Sequence, residues 1–307
     1  MKQFNFFILF YGFLSFVLAN PPGKSEEDVK EPEQKESISP DSDNTNKKNE
    51  SVVGQTIYPL VRVTTEQGGG SGVLVYSDDK DVPGKFVTFL FTNHHVIDSA
   101  IHIVKTWDNL RQSYIQKEVN DLVNIEIFGY ENDDQTVIIN NVKAEVVAYI
   151  ADEDLALLKL VHDFEIKNLA KLLPLTEKIG LLDPVIAVGC QNLSDPFPTT
   201  GIITDLNVLI DKKRYVGTSA NIYFGSSGGA VYVQKSDAYY FAGIPSRITV
   251  DRGQALSYFG FFIPVERIHE FIETQKLSFL IDESKTPKEC FEEREKLRQG
   301  SSKTESF

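Results

Sequence analysis

A serine enclosed by glycines, Gly225-Ser226-Ser227-Gly228-Gly229, is the clearest chemical feature of this chain. A serine nucleophile needs an exposed hydroxyl beside backbone N–H groups that can hold an oxyanion, and glycines allow the tight turn that directs those groups. The segment fits both G-x-S-G-G and G-x-S-x-G, the nucleophile elbow of α/β-hydrolases, and both patterns select Ser227. Taken alone, the segment fits a glycine-rich turn without chemistry equally well.

Histidine and aspartate side chains stand beside two apolar runs that precede this serine. His94 and His95 follow the run Phe89–Thr92, and Asp152 and Asp154 come just before another apolar run. A neutral imidazole can take the serine proton and return it to a leaving group, and a buried carboxylate can hold the imidazole in one tautomer. The three segments together therefore favour nucleophilic hydrolysis.

The chain order of these residues distinguishes two hydrolase architectures. An α/β-hydrolase places its carboxylate and then its histidine after the serine. Only His269 follows Ser227 here, on a predicted C-terminal helix, and parallel β–α–β patterning is missing. The α/β-hydrolase interpretation is therefore excluded.

Short β-type runs bounded by Gly, Asp, Asn or Pro fill the chain from Val52 onward. About a dozen runs with few helical patterns predict an all-β barrel or sandwich. One helix is predicted from Pro264, with Ile268, Phe271 and Ile272 on one face. The runs are 58–64, 72–76, 86–92, 122–130, 137–150, 155–161, 185–190, 201–206, 215–220, 230–233, 239–244 and 259–264.

The two ends of the chain differ in composition from this β-rich part. A positive start and the uncharged stretch Phe6–Ala19 predict a secretory signal peptide over residues 1–19, with an uncleaved membrane anchor as the alternative. Residues 20–52 are charged and nearly lack large apolar side chains, which predicts a disordered acidic linker. Residues 283–307 are predicted to be a polar tail, helical at most over 289–298. We expect a secreted, periplasmic or cell-envelope protein, or a membrane-anchored one if the leader stays.

Composition excludes several classes of protein. The 307 residues carry a net charge of −13, which repels phosphate backbones and argues against a nucleic-acid partner. Two cysteines are too few for a disulfide framework or a cysteine-based zinc site, and no HExxH pair occurs, so no metal or cofactor is predicted. Export would allow Cys190 and Cys290 to pair; a buried free Cys190 is the alternative.

Four motifs together resemble the trypsin-like (chymotrypsin-fold) serine proteases of the HtrA/Deg type. They are Gly70-Ser71-Gly72-Val73-Leu74, Thr92-Asn93-His94-His95-Val96, Asp154-Leu155-Ala156-Leu157-Leu158 and Gly225-Ser226-Ser227-Gly228-Gly229. The resemblance covers about residues 55–275 and implies a protease domain over 53–282. Its fold would be two six-stranded antiparallel β-barrels, about 53–162 and 163–263, followed by a helix over 264–275.

The resemblance assigns roles residue by residue. His95 would be the general base, Asp154 would orient it, and Ser227 would attack, with His94 and Asp152 as the neighbouring rivals. The motif register favours His95 and Asp154 over these two. The triad would lie between the two barrels.

Backbone and pocket residues also follow from the resemblance. The backbone N–H groups of Gly225, Ser226 and Ser227 would form the oxyanion hole. Asn221, six residues before the nucleophile, would lie at the base of the S1 pocket, and its lack of charge argues against strong selection for Arg or Lys. The residues expected to line one wall and pair with the substrate backbone are Ala242, Gly243 and Ile244.

The sequence also departs from the family. We expect no PDZ domain among the residues that follow the protease region in this sequence. A polar insert over 107–121 is expected either to shape the cleft or to be surface decoration. Ser226 replaces the Asp that pairs with a newly cut N-terminus in digestive enzymes, so activation by such cutting is not expected.

The function expected is a secreted serine endopeptidase whose partners are polypeptide substrates. A catalytically silent or latent protease-like binding scaffold is the alternative. The sequence does not indicate an oligomeric state or a natural substrate, and we expect no stable membrane insertion once the leader is cut.

Overall fold

Fourteen strands and four helices make up the described part of the chain. This computed structural model describes residues 51–109, 112–131 and 135–304. In chain order the elements are α1 (Val52–Thr56), β1 (Leu60–Thr64), β2 (Gly69–Asp78), β3 (Val87–Thr92), α2 (His94–Ile97), β4 (Ile101–Asp108), β5 (Ser113–Asn120), β6 (Val123–Glu131), β7 (Gln135–Ile150), β8 (Leu155–Leu160), β9 (Pro184–Gly189), β10 (Phe197–Ile210), β11 (Lys213–Thr218), β12 (Ala230–Lys235), β13 (Ala238–Asp251), β14 (Gln254–Pro264), α3 (Val265–Thr274) and α4 (Pro287–Thr304).

Twelve of these strands close into two antiparallel barrels, and this confirms the predicted fold class. The first barrel has the strand order β1-β2-β3-β8-β7-β6, and pairs such as Val61 with Ile127 close it. The second has the order β10-β11-β14-β13-β12-β9, closed by β9 against β10, as in the pairing of Ala187 with Thr199. Each of the twelve predicted runs overlaps one barrel strand.

Strands β3 and β8 are buried on both faces, which explains their continuous apolar sequences. In β3, Leu90 packs inside the first barrel, whereas Phe89 and Phe91 face the core shared with the second barrel and the C-terminal helices. In β8, Leu158 packs inside the first barrel and Leu157 faces the shared core. Successive side chains of a strand point to opposite faces, so the ends of β3 and β8 emerge where the barrels meet.

The C-terminal helices pack on this shared core. Ile268, Phe271 and Ile272 of α3 are buried, as their predicted common face requires. Residues 283–307 were expected to be a polar tail, and α4 corrects this from Pro287 onward. Cys290 of α4 is buried, and the ring of Phe291 lies 6.0 Å from that of Phe89. The helix therefore covers the outside of the first barrel.

A two-stranded hairpin, β4 and β5, stands apart from both barrels and occupies the region of the expected insert at 107–121. Its strands pair from Ile101 with Asn120 to Asp108 with Ser113, and most of its side chains are exposed. Tyr149 of the first barrel donates its hydroxyl to Glu118 at 2.5 Å, which ties the hairpin to that barrel.

The predicted leader over 1–19 and nearly all of the predicted linker over 20–52 lie outside the described residues. The described chain begins with Ser51, which caps α1 because its Oγ accepts the Gly54 N–H at 3.1 Å. Among the helices of the described ranges, none has the length and apolar character needed to cross a bilayer.

Candidate active site

His95 and Asp154 meet at the edge of the first barrel. His95 lies in α2, directly after β3, and Asp154 directly precedes β8, the neighbour of β3. The Nδ1 atom of His95 lies 2.9 Å from Oδ1 and 3.0 Å from Oδ2 of Asp154. The backbone N–H of His95 donates to Oδ1 at 3.1 Å, and Asn93 Nδ2 donates to the Asp154 carbonyl at 2.8 Å. Backbone and side-chain bonds thus join the two turns.

Two residues of β13, in the second barrel, also hold the Asp154 carboxylate. Ser246 Oγ donates to Oδ2 at 2.7 Å, and Arg247 Nη1 lies 3.0 Å from the same oxygen. Burial raises the pKa of Asp154, but the hydrogen bond and charge of His95, the charge of Arg247 and the bond from Ser246 outweigh burial and lower this pKa to about 2. The carboxylate is therefore ionised at neutral pH.

Cations of the second barrel and of α3 hold the turn that carries Asp154. Lys213 pairs with Asp152 and Glu153. Arg267 of α3 donates through Nε to the Glu153 carboxylate at 2.7 Å and through Nη2 to the Glu153 carbonyl at 3.0 Å. These bonds hold Asp154 in its left-handed conformation, with φ of 56°.

The two rival residues lie elsewhere. The ring of His94 packs at a tilt against the ring of Tyr149, with centroids 5.0 Å apart, and burial lowers the pKa of His94. The Asp152 side chain is 86% exposed, whereas that of Asp154 is 6% exposed. The structure therefore brings His95, and not His94, to Asp154.

The serine turn requires glycine at two positions. Gly225 has φ of +88°, and a Cβ there would lie 2.3 Å from the carbonyl oxygen of Cys190. Gly228 has φ of +85°, and a Cβ there would lie 2.1 Å from the carbonyl oxygen of Ser71. Both the backbone conformation and the close neighbours therefore exclude side chains on either side of Ser227.

Two backbone N–H groups of this turn are available to bind an oxyanion. The Phe224 carbonyl accepts the Asn192 N–H at 2.7 Å, and the Ser226 carbonyl accepts the N–H of the glycine three residues later at 3.0 Å. In a trans peptide, C=O and N–H point in opposite directions, so the Gly225 and Ser227 N–H groups point away from these partners. Within the described ranges, neither N–H has a hydrogen-bond partner.

Ser226 does not add a third donor, which corrects the prediction that included it. Its N–H donates to the Tyr223 carbonyl at 2.9 Å, and its Oγ accepts the Tyr223 N–H at 3.2 Å. Both polar groups of this buried residue therefore close the turn on itself.

The histidine turn and the serine turn both border Gly70. A Cβ on Gly70 would lie 2.7 Å from the carbonyl oxygen of Ser227 and 2.9 Å from Cγ2 of Val96, the residue after His95. Only a residue without a side chain allows the two turns to come this close, so β2 places the serine turn next to the histidine turn.

The predicted substrate-pairing residues require a correction. Gly243 of β13 pairs with Val231 on β12 and with Pro264 on β14, so both strand edges are occupied there. Ala242 and Ile244 are fully buried core residues. A substrate strand therefore cannot add at this point.

An open strand edge begins a few residues later. From Ile248 to Asp251, β13 pairs with β14 on one side, and no strand in the described ranges pairs with the other. Asn221, predicted at the base of the S1 pocket, is exposed, and its carbonyl accepts Thr199 Oγ1 at 2.8 Å. Its role in specificity stays a prediction.

Both cysteines are free and buried in the structure, which agrees with the alternative of a buried free Cys190 and not with a Cys190–Cys290 pair. Cys190 lies under the serine turn, whereas Cys290 lies 3.4 Å from Ser278 Oγ among the C-terminal helices. Burial raises the pKa of Cys190 to about 12. Across the described residues, no three His, Cys, Asp or Glu side chains are grouped so that they could hold a metal ion.

Several residues at the site had no role assigned from the sequence. They are Ser71, Asn93, Ser246 and Arg247. Asn93 could have been suspected, because a polar residue ends an apolar strand beside the histidines. Ser71 lies inside a recognised motif, yet nothing in the sequence indicates its partners. Ser246 and Arg247 contact the Asp154 carboxylate from about 90 residues away in the chain, and no local sequence pattern indicates such a contact.

Comparisons with known proteins agree with the two-barrel fold. The profile of the family described as "Trypsin-like peptidase domain" matches residues 70–238, more than half of the chain. Two structures of the HtrA-type protease AlgW with a tripeptide each align with a TM-score of 0.51 and 21% identity over 72% of this chain. The alignment covers 61% of those chains, so this chain spans less than two thirds of their length. No curated protein matches. With its two barrels and matching profile, this chain belongs to the trypsin-like peptidase domain family.

Proposed function

We propose that this protein is a serine endopeptidase that cleaves peptide bonds through His95, Asp154 and Ser227. The observation that carries the proposal is the contact of His95 Nδ1 with both oxygens of a buried, ionised Asp154, at 2.9 and 3.0 Å. This contact holds the neutral imidazole in the tautomer with its proton on Nδ1, so its basic lone pair lies on Nε2.

The reaction then follows from the groups on the two turns. Ser227 Oγ attacks the substrate carbonyl carbon while its proton passes to His95 Nε2. The carbonyl oxygen becomes an oxyanion and accepts the N–H groups of Gly225 and Ser227. The imidazolium gives its proton to the leaving amine as the C–N bond breaks, which leaves an acyl-enzyme. Water, deprotonated by His95, attacks this ester, and the proton returns to Ser227.

Asp154 has an electrostatic role in this scheme. Its negative charge stabilises the imidazolium that forms in both steps. Ser246 and Arg247 keep the carboxylate ionised and fixed, because both contact Oδ2, while the His95 backbone N–H binds Oδ1 and Nδ1 lies within reach of both oxygens.

The test is active-site labelling with a fluorophosphonate probe, which phosphonylates an activated serine with loss of fluoride. The wild type should label, Ser227→Ala should not, and Ser284→Ala should label like the wild type, because Ser284 is exposed and bonds only locally to Asp282. Folded wild-type protein that neither labels nor cleaves a denatured polypeptide would sink the proposal and favour a protease-like binding scaffold.

Export is part of the proposed function and rests on residues 1–19 alone. The 14-residue uncharged stretch Phe6–Ala19 is shorter than a membrane span, and Val17-Leu18-Ala19 fits a leader-peptidase site. N-terminal sequencing of protein recovered from the medium or periplasm should give Asn20 as the first residue. An intact Met1 on membrane-bound protein would show an anchor instead.

A further inference from the structure

We propose that Ser71 is a positioning residue that keeps the oxyanion turn, residues 223–227, in its donating conformation. This inference rests on the proposed function, since it concerns the same site. Ser71 lies on β2 of the first barrel and has no exposed surface. The turn that it contacts belongs to the second barrel, so Ser71 acts across the interface between the barrels.

Ser71 contacts the oxyanion turn through both its side chain and its backbone. Its Oγ donates to the Gly225 carbonyl at 2.7 Å, and its N–H donates to the Ser227 carbonyl at 2.8 Å. The same Oγ accepts the Cys190 N–H at 2.7 Å. One hydroxyl therefore serves as donor to the oxyanion turn and as acceptor from the end of β9.

The bond to Cys190 matters because the next residues hold the same turn from its other side. Leu193 N–H donates to the Cys190 carbonyl at 2.9 Å and closes a tight loop. Within this loop the Asn192 N–H donates to the Phe224 carbonyl at 2.7 Å. Ser71 thus contacts the oxyanion turn directly at Gly225 and, through this loop, also supports the peptide whose N–H would bind the oxyanion.

Gly225 needs such support because glycine has the widest choice of backbone conformations. Its amide N–H lies in one peptide plane with the Phe224 carbonyl, and the Gly225 carbonyl lies in the next plane, so both planes must stay in place for the turn to keep its shape. Asn192 binds the first carbonyl and Ser71 binds the second. Without the Ser71 hydroxyl, the Gly225 carbonyl and the Cys190 N–H would have no partner among the described residues, and the turn could relax to satisfy them.

The experiment compares Ser71→Ala with Thr88→Val as its matched control. Thr88 is another fully buried hydroxyl of the first barrel, but it bonds Ser77 Oγ at 2.9 Å, away from the site. Each variant therefore loses one buried hydroxyl. Ser71→Ala should lower kcat about 10- to 100-fold, below the loss of a complete oxyanion donor, with KM changed less than about twofold. Thr88→Val should keep the wild-type kcat and KM.

A second measurement does not depend on activity. Hydrogen exchange of the Cys190 and Ser226 amides should become faster in Ser71→Ala and stay unchanged in Thr88→Val. If the wild type has no activity, the proposed function fails while the exchange rates still decide the role of Ser71. Equal exchange and equal kcat in the two variants would overturn the inference.

Ser71→Cys covers the case in which Ser71→Ala does not fold. A thiol is a weaker donor and acceptor than a hydroxyl in nearly the same position. The cysteine variant should therefore show a lowered kcat, an unchanged KM and faster exchange at Cys190. A wild-type kcat together with a wild-type exchange rate at Cys190 would contradict the role assigned to Ser71.

Discussion

The two turns that carry the predicted reacting groups are held by different kinds of interaction. The turn of Asp154 is surrounded by charges: Arg247 contacts its carboxylate, and Arg267 and Lys213 pair with Glu153. The turn of Ser227 is held by neutral hydrogen bonds among backbone groups and the hydroxyls of Ser71 and Ser226, and only glycine fits at Gly225 and Gly228. The first arrangement fixes a charge, and the second fixes the direction of N–H groups.

This difference predicts different responses to perturbation. Changes of charge or pH should act through Asp154, because its ionisation depends on its neighbours. Changes of backbone shape should act through the serine turn, where small displacements misdirect the donors. Each barrel also depends on the other, since Ser246 and Arg247 reach Asp154 from the second barrel and Ser71 reaches Gly225 from the first.

Removal of the reacting groups should have the largest effect. Ser227→Ala or His95→Ala should lower kcat on the order of 10⁶-fold, and Asp154→Asn about 10⁴-fold. Because these residues act as a unit, the double variant of Ser227 and His95 should lose little more than either single one. Steady-state cleavage of a fluorogenic peptide measures kcat for the three single variants and the double variant.

His94→Ala is the matched control for the histidine. Its ring packs against Tyr149, and no hydrogen bond among the described residues joins it to the Asp154 carboxylate, so activity should stay within about tenfold of the wild type. An inactive His94→Ala together with an active His95→Ala would reverse the assignment of the general base.

Gly225→Ala should have the next largest effect. The added Cβ would clash with the Cys190 carbonyl oxygen at 2.3 Å and force the turn to move, which should lower kcat about 10²- to 10³-fold, the cost of one oxyanion donor.

Gly84→Ala is the matched control, because it adds a Cβ at a positive φ without a steric clash. Gly84 has φ of +79° with nothing within 4 Å of an added Cβ. It should therefore lose stability on the order of 1 kcal/mol but keep its kcat. Equal losses of activity in the two variants would mean that the conformation of the turn does not limit catalysis.

The strands that pack at least one face into a hydrophobic core were predictable from the sequence. The twelve barrel strands carry apolar runs because their side chains pack in cores, and β3 and β8 have the most continuous runs because both of their faces are buried. Hairpin β4–β5 was missed because it packs in neither barrel, and backbone pairing alone leaves no clear apolar pattern.

Within the site, short motifs predicted His95, Asp154 and Ser227, but not the residues that hold them. The roles of Ser71 and Arg247 depend on contacts between barrels across 154 and 93 residues of chain, which only the fold creates. The substrate-pairing residues were misplaced because the sequence does not show where β12 ends its pairing with β13, at Val231 and Gly243.

Acid should weaken the fold through Asp154. Its pKa is about 2 in the folded chain and about 3.9 in an unfolded chain, so the ionised carboxylate stabilises the fold above about pH 4. This contribution, on the order of 2 kcal/mol, is lost as the pH falls from 4 to 2.

The free energy of unfolding, measured with urea over this range, should depend less on pH for Asp154→Asn than for the wild type. Asp237→Asn, at an exposed carboxylate, should keep the wild-type slope.

The smallest effect should come from the N-terminus, and it tests whether the neutral bonds of the serine turn suffice. In digestive trypsin-like enzymes, a carboxylate beside the nucleophile pairs with a newly cut N-terminal amine. Ser226 occupies that position here, and its N–H and hydroxyl both bond Tyr223. Ser226 therefore offers no charge with which an N-terminal amine could pair. A chain that begins at Ser51 with extra residues in front should therefore match one with a free amine at Ser51 within about twofold in kcat/KM. Active-site titration with the fluorophosphonate probe would normalise both preparations.

Activity that appears only after trimming to one particular N-terminus would contradict this prediction. The serine turn would then not be held by Ser71 and Tyr223 alone, and the enzyme would be activated as a zymogen.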